Sequence, residues 1–204
     1  DLKTLLKYNI PAIKVGSDDF TNISLIQKYL SFNKPVILST GMSTSKDFDR
    51  VLKITNINKY KLIYLLCTSE YPTNHKNVNI NKFISIKKKI KKNLIGFSDH
   101  TIDDTASIMA VANGCCFFEK HFTLSKKLAG PDHWFSLDPL ELKKWVNSIR
   151  DAYKCMGYKN LKPTKIEIKN KQSFQRKIIA NKLILKGQII KLDDIKILRS
   201  SNLP

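Results

Sequence analysis

Short apolar runs separated by longer amphipathic stretches organise this chain from Ile10 to about Met156. The runs are Ile10 to Gly16, Pro35 to Leu38, Leu62 to Cys67, Leu94 to Phe97 and Cys115 to Phe118. They are rich in β-branched and aromatic residues and nearly continuous rather than alternating, the pattern of parallel strands covered on both faces. Between them the periodicity predicts helices at about Asn22 to Phe32, Lys46 to Ile54, Asn79 to Lys92 and Asp103 to Asn113, with a longer one from Pro139 to Met156. Thr44 with Asp47, and Thr101 with Asp104, have the spacing of reciprocal N-terminal caps for the second and fourth of these helices. Strand and helix alternate every ~22 to 32 residues, an α/β array that forms either a barrel or an open doubly wound sheet.

The ends of the runs separate the two. Each run terminates in polar groups: Lys14 with Ser17, Ser39-Thr40, Thr68-Ser69, Ser98-Asp99-His100, and Glu119 with His121. In a barrel every C-terminal strand end faces one mouth, whereas in an open sheet only those near the switch point do. Polar groups at every end, and the absence of G-x-G-x-x-G and phosphate-loop motifs, favour a (β/α)8 TIM-barrel type. A closed barrel needs eight βα units and five are present, so an incomplete barrel is expected over residues 1–157, its later part. The polar, Lys-rich stretch 158–172, marked by Gly157 and Pro163, reads as a linker. Residues 173–204 read as part of a small β-rich module, with β-like runs at Ile178 to Ala180, Lys182 to Leu185 and Ile189-Ile190 and a turn at Lys186-Gly187. That piece is too short to close its own core.

Composition narrows the partners. The 204 residues are 42% hydrophobic and 26% charged, a globular balance. No apolar run approaches the ~18 residues of a membrane helix, and the first residues carry no signal-peptide pattern. Net charge is +19, with Lys+Arg 36 against Asp+Glu 17. The lysines are scattered, and the densest run, Lys87 to Lys92, closes a predicted helix, where cations suit the dipole. No zinc-finger spacing, RNP-like motif or heptad zipper accompanies them. The charge therefore reads as a Lys/Asn/Ile-rich bias, and neither nucleic acid nor membrane is expected as a partner. Cys67, Cys115 and Cys116 lie in apolar runs and, like Cys155, form no C-x-x-C pair, so buried free thiols in a reducing cytoplasm are expected.

His100 and His121 each close an apolar run beside a carboxylate, Asp99 or Glu119. Either alone could be structural. Side by side at one mouth they would offer two nitrogen ligands to a divalent ion; neutral imidazole suits Mn2+, Zn2+ or Fe2+, while surrounding oxygens and waters would favour Mg2+ or Mn2+. Lys14 with Ser17, Ser39, Ser69 and Ser98 makes a cradle for phosphate or carboxylate, although any one serine after a strand could be a helix cap. Asp19, Glu70, Asp99, Glu119 and Asp132 are acid/base candidates, Glu70 reading better as solvated loop charge. His133 sits in the turn Gly130-Pro131-Asp132-His133, His75 follows Tyr71-Pro72, and Met42, Trp134 and Trp145 read as packing residues.

The segments Ile13 to Ser17, Pro35 to Met42, Leu65 to Pro72, Gly96 to Thr101, Glu119 to Thr123 and Gly130 to His133 together resemble the N-acetylneuraminate (sialic acid) synthase family, in order and spacing, over about Ile10 to Gly157. The tail with Arg176, Ala180, Gly187 and Arg199 resembles the opening of the antifreeze-like (SAF) domain that follows the barrel in that family. The resemblance implies condensation of phosphoenolpyruvate with an N-acylated aldohexose such as N-acetylmannosamine, giving a nine-carbon 2-keto sugar acid and phosphate, in a homodimer. It implies that His100 and His121 hold Mn2+ or Mg2+ and that Lys14, Ser17, Ser39, Ser69 and Ser98 surround phosphoenolpyruvate. Glu119, Asp19, Tyr71 and Asp132 match positions around the sugar and the reacting carbons, and Arg199 an arginine that reaches the active site of the partner copy.

Position 69 is Asn in some members, and position 19 is often Glu, so a different sugar is one implication of Asp19. The loop Gly130 to Ser136 keeps the histidine of the sialic and legionaminic types, which ranks a pseudaminic acid synthase last. The family's first three βα units, with a further lysine and an acidic residue, are expected to precede this stretch. The chain alone is then expected to be inactive. The alternatives are a legionaminic or pseudaminic acid synthase, an inactive fragment, or a basic binding protein.

Overall fold

The computed structural model describes residues 2–55, 62–90 and 94–199. The chain divides into two compact units, Asp1–Gly157 and Tyr158–Pro204. In the first, the order is α1 (Leu2–Leu6), β1 (Ile13–Val15), α2 (Ile23–Leu30), β2 (Val36–Ser39), α3 (Ser45–Thr55), β3 (Leu62–Leu66), α4 (His75–Val78), α5 (Lys82–Ile90), β4 (Leu94–Asp99), α6 (Thr105–Ala112), β5 (Phe117–Lys120) and α7 (Pro139–Cys155). The strands form one parallel sheet in the order β1-β2-β3-β4-β5. That order never turns back, as an arc of a barrel requires; a doubly wound sheet would reverse at its switch point.

Every predicted run contributes a strand, because chain segments apolar on both sides satisfy their backbone groups only inside a covered sheet. The core joins Val15, Leu38, Tyr64 and Phe97 to the helices through Phe20, Phe48 and Phe83, all buried. Phe48 stacks between Phe20 and Tyr64 at centroid distances of 5.6 and 5.2 Å. β5 begins two residues later than the apolar run Cys115 to Phe118. Gly114, at φ +84°, ends α6 in the left-handed region, and the Cys115 N–H still donates to Ala110 O, so Cys115 belongs to the helix exit. Cys115 and Cys67 are buried, but Cys116 and Cys155 are exposed, contrary to the expectation for Cys116.

One of the two predicted caps forms. The Thr44 N–H donates to Asp47 Oδ2 at 2.9 Å and the Asp47 N–H to Thr44 Oγ1 at 3.3 Å, opening α3. Thr101 does not cap with Asp104: its hydroxyl and N–H both donate to Asp99 Oδ1, at 2.7 and 2.8 Å. A fully buried carboxylate has the stronger need for those donors. α6 starts at Thr105, whose N–H donates to Asp103 Oδ1 at 2.9 Å. The helix predicted from Asn79 begins at Lys82, because Asn79 takes a left-handed φ of 50° to end α4; Lys91 and Lys92 lie outside the described residues.

In the second unit, α8 (Lys165–Phe174) precedes β6 (Arg176–Ala180), a 3-10 turn at Leu192–Asp194, and β7 (Ile195–Arg199). β6 and β7 pair antiparallel from Arg176↔Arg199 to Ala180↔Ile195. The stretch read as a linker is therefore helical from Lys165, opened by a reciprocal cap between Thr164 and Glu167. Its scattered lysines leave no apolar stripe for a sequence pattern to detect. Lys182 to Leu185 and Ile189-Ile190 are not strands; Ile195–Arg199 supplies the partner of β6 instead. Among the described residues no helix is long and apolar enough to cross a membrane.

Candidate functional site

The C-terminal ends of all the sheet strands line one cleft of about 410 Å³. Lys14 and Ser17 come from β1 and its loop, Ser39 from β2, Ser69 and Tyr71 from the loop after β3, Ser98 and His100 from β4, and Glu119 and His121 from β5. Parallel strands in register deliver these groups together because each C-terminal end stops at the same edge of the sheet.

On the β1–β3 side the cleft is built to hold negative charge. Lys14 Nζ donates to Ser39 Oγ at 2.7 Å and to Val15 O at 3.2 Å, and stands 3.6 Å from Glu119 Oε2. Ser17 Oγ accepts the Gly41 N–H at 3.1 Å and lies 3.0 Å from Cys67 Sγ. Ser69 Oγ is buried and, among the described residues, has no hydrogen-bond partner. Such an orphan costs about 1–3 kcal/mol, a cost that a bound acceptor would remove. A Cβ at Gly41 would stand 2.5 Å from Ser69 Oγ and 2.7 Å from Ser17 Oγ, so glycine lets the backbone pass close beneath both hydroxyls.

The β4–β5 side carries the imidazoles. The His100 and His121 rings lie 5.3 Å apart between centroids, inclined at 77°. His100 Nδ1 is 2.7 Å from Thr68 O, so it carries the proton and leaves the Nε2 lone pair free. Ser98 Oγ is 3.2 Å from that Nε2, but its only proton goes to Glu119 Oε1 at 2.7 Å. The Nε2 lone pair therefore faces the cleft with no proton to accept. Burial pushes the His100 pKa below the ordinary imidazole value, and His121 adds to this against the pull of the Thr68 carbonyl. Tyr71 packs on His100 at 4.3 Å and Phe135 on His121 at 5.1 Å. Burial, followed by nearby Cys67, Asp132 and Glu119, raises the Tyr71 pKa and keeps its phenol protonated. Among the described residues no group of three His, Cys, Asp or Glu side chains forms a complete metal cage. A cation between the two imidazoles would have to take its other ligands from water or substrate.

Other expected positions fall elsewhere. Asp19 is not on the cleft wall; its Oδ1 accepts from Asn22 Nδ2 at 3.0 Å, and the adjacent Asp18 lines the cleft instead. Asp132 reaches His121 from outside that wall, with Oδ2 3.7 Å from Nδ1. Arg199 ends β7 in the second unit, paired with Arg176. Asp99 is not available for acid/base work, being wholly buried on the helix side of the sheet. Glu70 accepts from Asn77 Nδ2 at 2.9 Å as a loop tie. His133 pairs with Thr123 Oγ1 at 2.7 Å and His75 with Asp103 at 3.0 Å. Trp145 is buried as expected, whereas Trp134 and Met42 are exposed, and Met42 lines the cleft with φ 61°. Cys67, expected only as a buried thiol, and Asp18, not singled out at all, also line the cleft; their positions beside Thr68-Ser69 and Ser17 were the available signal.

The model of the NeuB family matches residues 1–161. The chain belongs to the NeuB family. This NeuB-family chain is 37% identical, over 97% of its length, to the N,N'-diacetyllegionaminic acid synthase of Campylobacter jejuni, of which it spans 60%. It is 30% identical, over 93% of its length, to the N-acetylneuraminate-9-phosphate synthase of Homo sapiens, of which it spans 53%. The crystal structure of the N-acetylneuraminic acid (sialic acid) synthetase of Leptospira borgpetersenii superposes with a TM-score of 0.75 at 31% identity, covering 86% of this chain and 62% of that one. The chain therefore spans between half and two thirds of the length of these relatives.

Proposed function

We propose that this chain carries the anion- and metal-binding half of a sialic acid-type synthase active site. The reaction joins phosphoenolpyruvate to the open-chain aldehyde of an N-acylated hexosamine, N-acetylmannosamine or a relative. The observation that carries this reading is the continuous polar chain Ser39–Lys14–Glu119–Ser98, which ends beside the open Nε2 of His100. It sets an anion cradle against a cation site within one cleft. The 37% identity to a legionaminic acid synthase favours, as a second reading, a doubly N-acetylated acceptor.

The reaction forms a bond between C3 of phosphoenolpyruvate and the aldehyde carbon, water adds at C2, and phosphate leaves. The Lys14 ammonium and the hydroxyls of Ser17, Ser39 and Ser69 hold the phosphoryl and carboxylate charge, with Ser69 Oγ gaining the partner it lacks. Held to the phosphate, Lys14 stabilises it as a leaving group. Glu119, between Lys14 and Ser98, is placed to take a proton from the water that adds at C2 and to return one to the aldehyde oxygen as it becomes a hydroxyl. The protonated Tyr71 phenol and Phe135 pack on the imidazoles and hold their ring planes. A divalent ion, Mn2+ or Mg2+, held by His100 Nε2 and His121 would supply Lewis-acid polarisation of the aldehyde oxygen.

Titrating the 204-residue chain with Mn2+ and reading the free-ion electron paramagnetic resonance signal tests the cation half of the reading. His100→Ala and His121→Ala should each weaken binding at least tenfold, on the order of the effect of losing one of two imidazole ligands. Unchanged affinity in both variants would remove the dyad from the site. Gly41→Ala tests the anion half: a methyl pressed against Ser17 and Ser69 should weaken phosphoenolpyruvate binding about tenfold, equivalent to ~1.4 kcal/mol, in isothermal titration calorimetry. Full affinity there would mean that these hydroxyls do not touch the ligand.

A further inference from the structure

We infer that the buried Asp99–Lys120 ion pair is the register lock that brings His100 and His121 to a common cation. The inference rests on the metal reading above, but concerns residues that never touch the ion.

The pair lies on the opposite side of the sheet from the cleft. Asp99 and Lys120 are directly opposed in the β4–β5 ladder, as are Ser98 and Glu119 one step before. Successive strand residues face opposite sides. Ser98 and Glu119 therefore meet in the cleft, Asp99 and Lys120 meet beneath it, and His100 and His121 return to the cleft. The ladder ends at Asp99↔Lys120, and both imidazoles follow it immediately. A slip of one residue would turn His121 away from the cleft and put Lys120 in its place.

Stability alone gives little reason to place charges here. The side chains are 0% and 4% exposed, with Lys120 Nζ 3.2 Å from Asp99 Oδ2. Desolvating two such ions costs several kcal/mol each, and well-packed apolar residues of similar volume often do as well or better. Fixing register is the best-attested use of such a pair. The remaining bonds serve that use. Asp99 Oδ1 accepts both the N–H and the hydroxyl of Thr101, closing a turn around His100. Lys120 Nζ also donates to Thr101 O. The turn bearing His100 is thereby tied to the residue that precedes His121. Ser107 Oγ at 2.6 Å and Trp145 Nε1 at 3.4 Å anchor Asp99 Oδ2 from α6 and α7.

The test compares the 204-residue chain with the double variant Asp99→Leu/Lys120→Met, which replaces the pair by apolar groups. The thermal midpoint should fall less than in a variant that strands one charge, Thr101, Ser107 and Trp145 losing their acceptor in either case, while Mn2+ affinity falls about 10- to 100-fold, the size of an outer-shell effect. Trp145→Phe, which removes one donor to Asp99 and leaves both charges, is the second variant. Its Mn2+ affinity should fall by a few-fold, and nitrogen couplings in the pulsed resonance spectrum should report a changed imidazole arrangement. Should the double variant unfold, Trp145→Phe decides alone. A folded variant that binds Mn2+ with parental affinity and parental nitrogen couplings overturns the register lock and leaves the metal reading standing. A parent that binds no Mn2+ overturns both.

Discussion

Replacing Asp99 by alanine should destabilise the first unit by about 3–5 kcal/mol, the cost of leaving one member of a buried ion pair alone. Lys120, 4% exposed at its side chain, would be left with the Thr101 carbonyl as its acceptor. Burial already lowers the Lys120 pKa from the ordinary lysine value, opposed chiefly by the attraction of Asp99. Without Asp99 that opposition is lost, and the ammonium is pressed towards the neutral form. Thr101, Ser107 and Trp145 would also lose their common acceptor, although Trp145 keeps its bond to Ser107 Oγ. At ~2–4 °C per kcal/mol for a chain of this size, the midpoint should fall by roughly 6–20 °C in a circular-dichroism melt. A change under about 3 °C would show that water or another group can replace the carboxylate.

The second large effect is at Lys14. Lys14→Met should weaken phosphoenolpyruvate binding about 100-fold, since a hydrogen-bonded charge facing a dianion is worth roughly 2–3 kcal/mol. The variant should fold normally. Lys14 is a rim residue with a side chain 35% exposed, and its ion pair with Glu119 at 3.6 Å contributes little at such a site. Calorimetry with phosphoenolpyruvate, beside a melt of the same sample, separates the two outcomes. Loss of less than threefold with an unchanged melt would assign the anion to some other group than Lys14.

The two predictions concern opposite faces of one sheet, and they differ in how far a sequence could foresee them. Lys14, the serines and the two histidines were legible because each follows an apolar run, and in a parallel array every such position faces the same edge. Asp99 was not. It stands between two cleft residues and reads as another acid at the rim, yet strand alternation turns it into the helix layer. Asp18 and Asp19 are chemically alike neighbours. Asn22 captures Asp19 at 3.0 Å and leaves Asp18 on the cleft wall. Thr101 has the spacing of a cap, but its hydroxyl goes to Asp99. α8 escaped notice because a lysine-studded helix with no buried residue has no apolar period to read.

What the amino-acid order determined unaided was local: where strands stop, that helices begin near Thr44 and Pro139, and which chemical groups stand at the strand ends. Those depend on propensity, capping and period over a few residues. The tertiary structure alone decided which partner each polar group takes. Ser98 chooses Glu119 twenty-one positions away, and Asp99 chooses Trp145 forty-six positions away. Such choices are competitions among groups brought together only by packing, and in a buried site the winner is whichever pairing leaves the fewest charges and donors unmet.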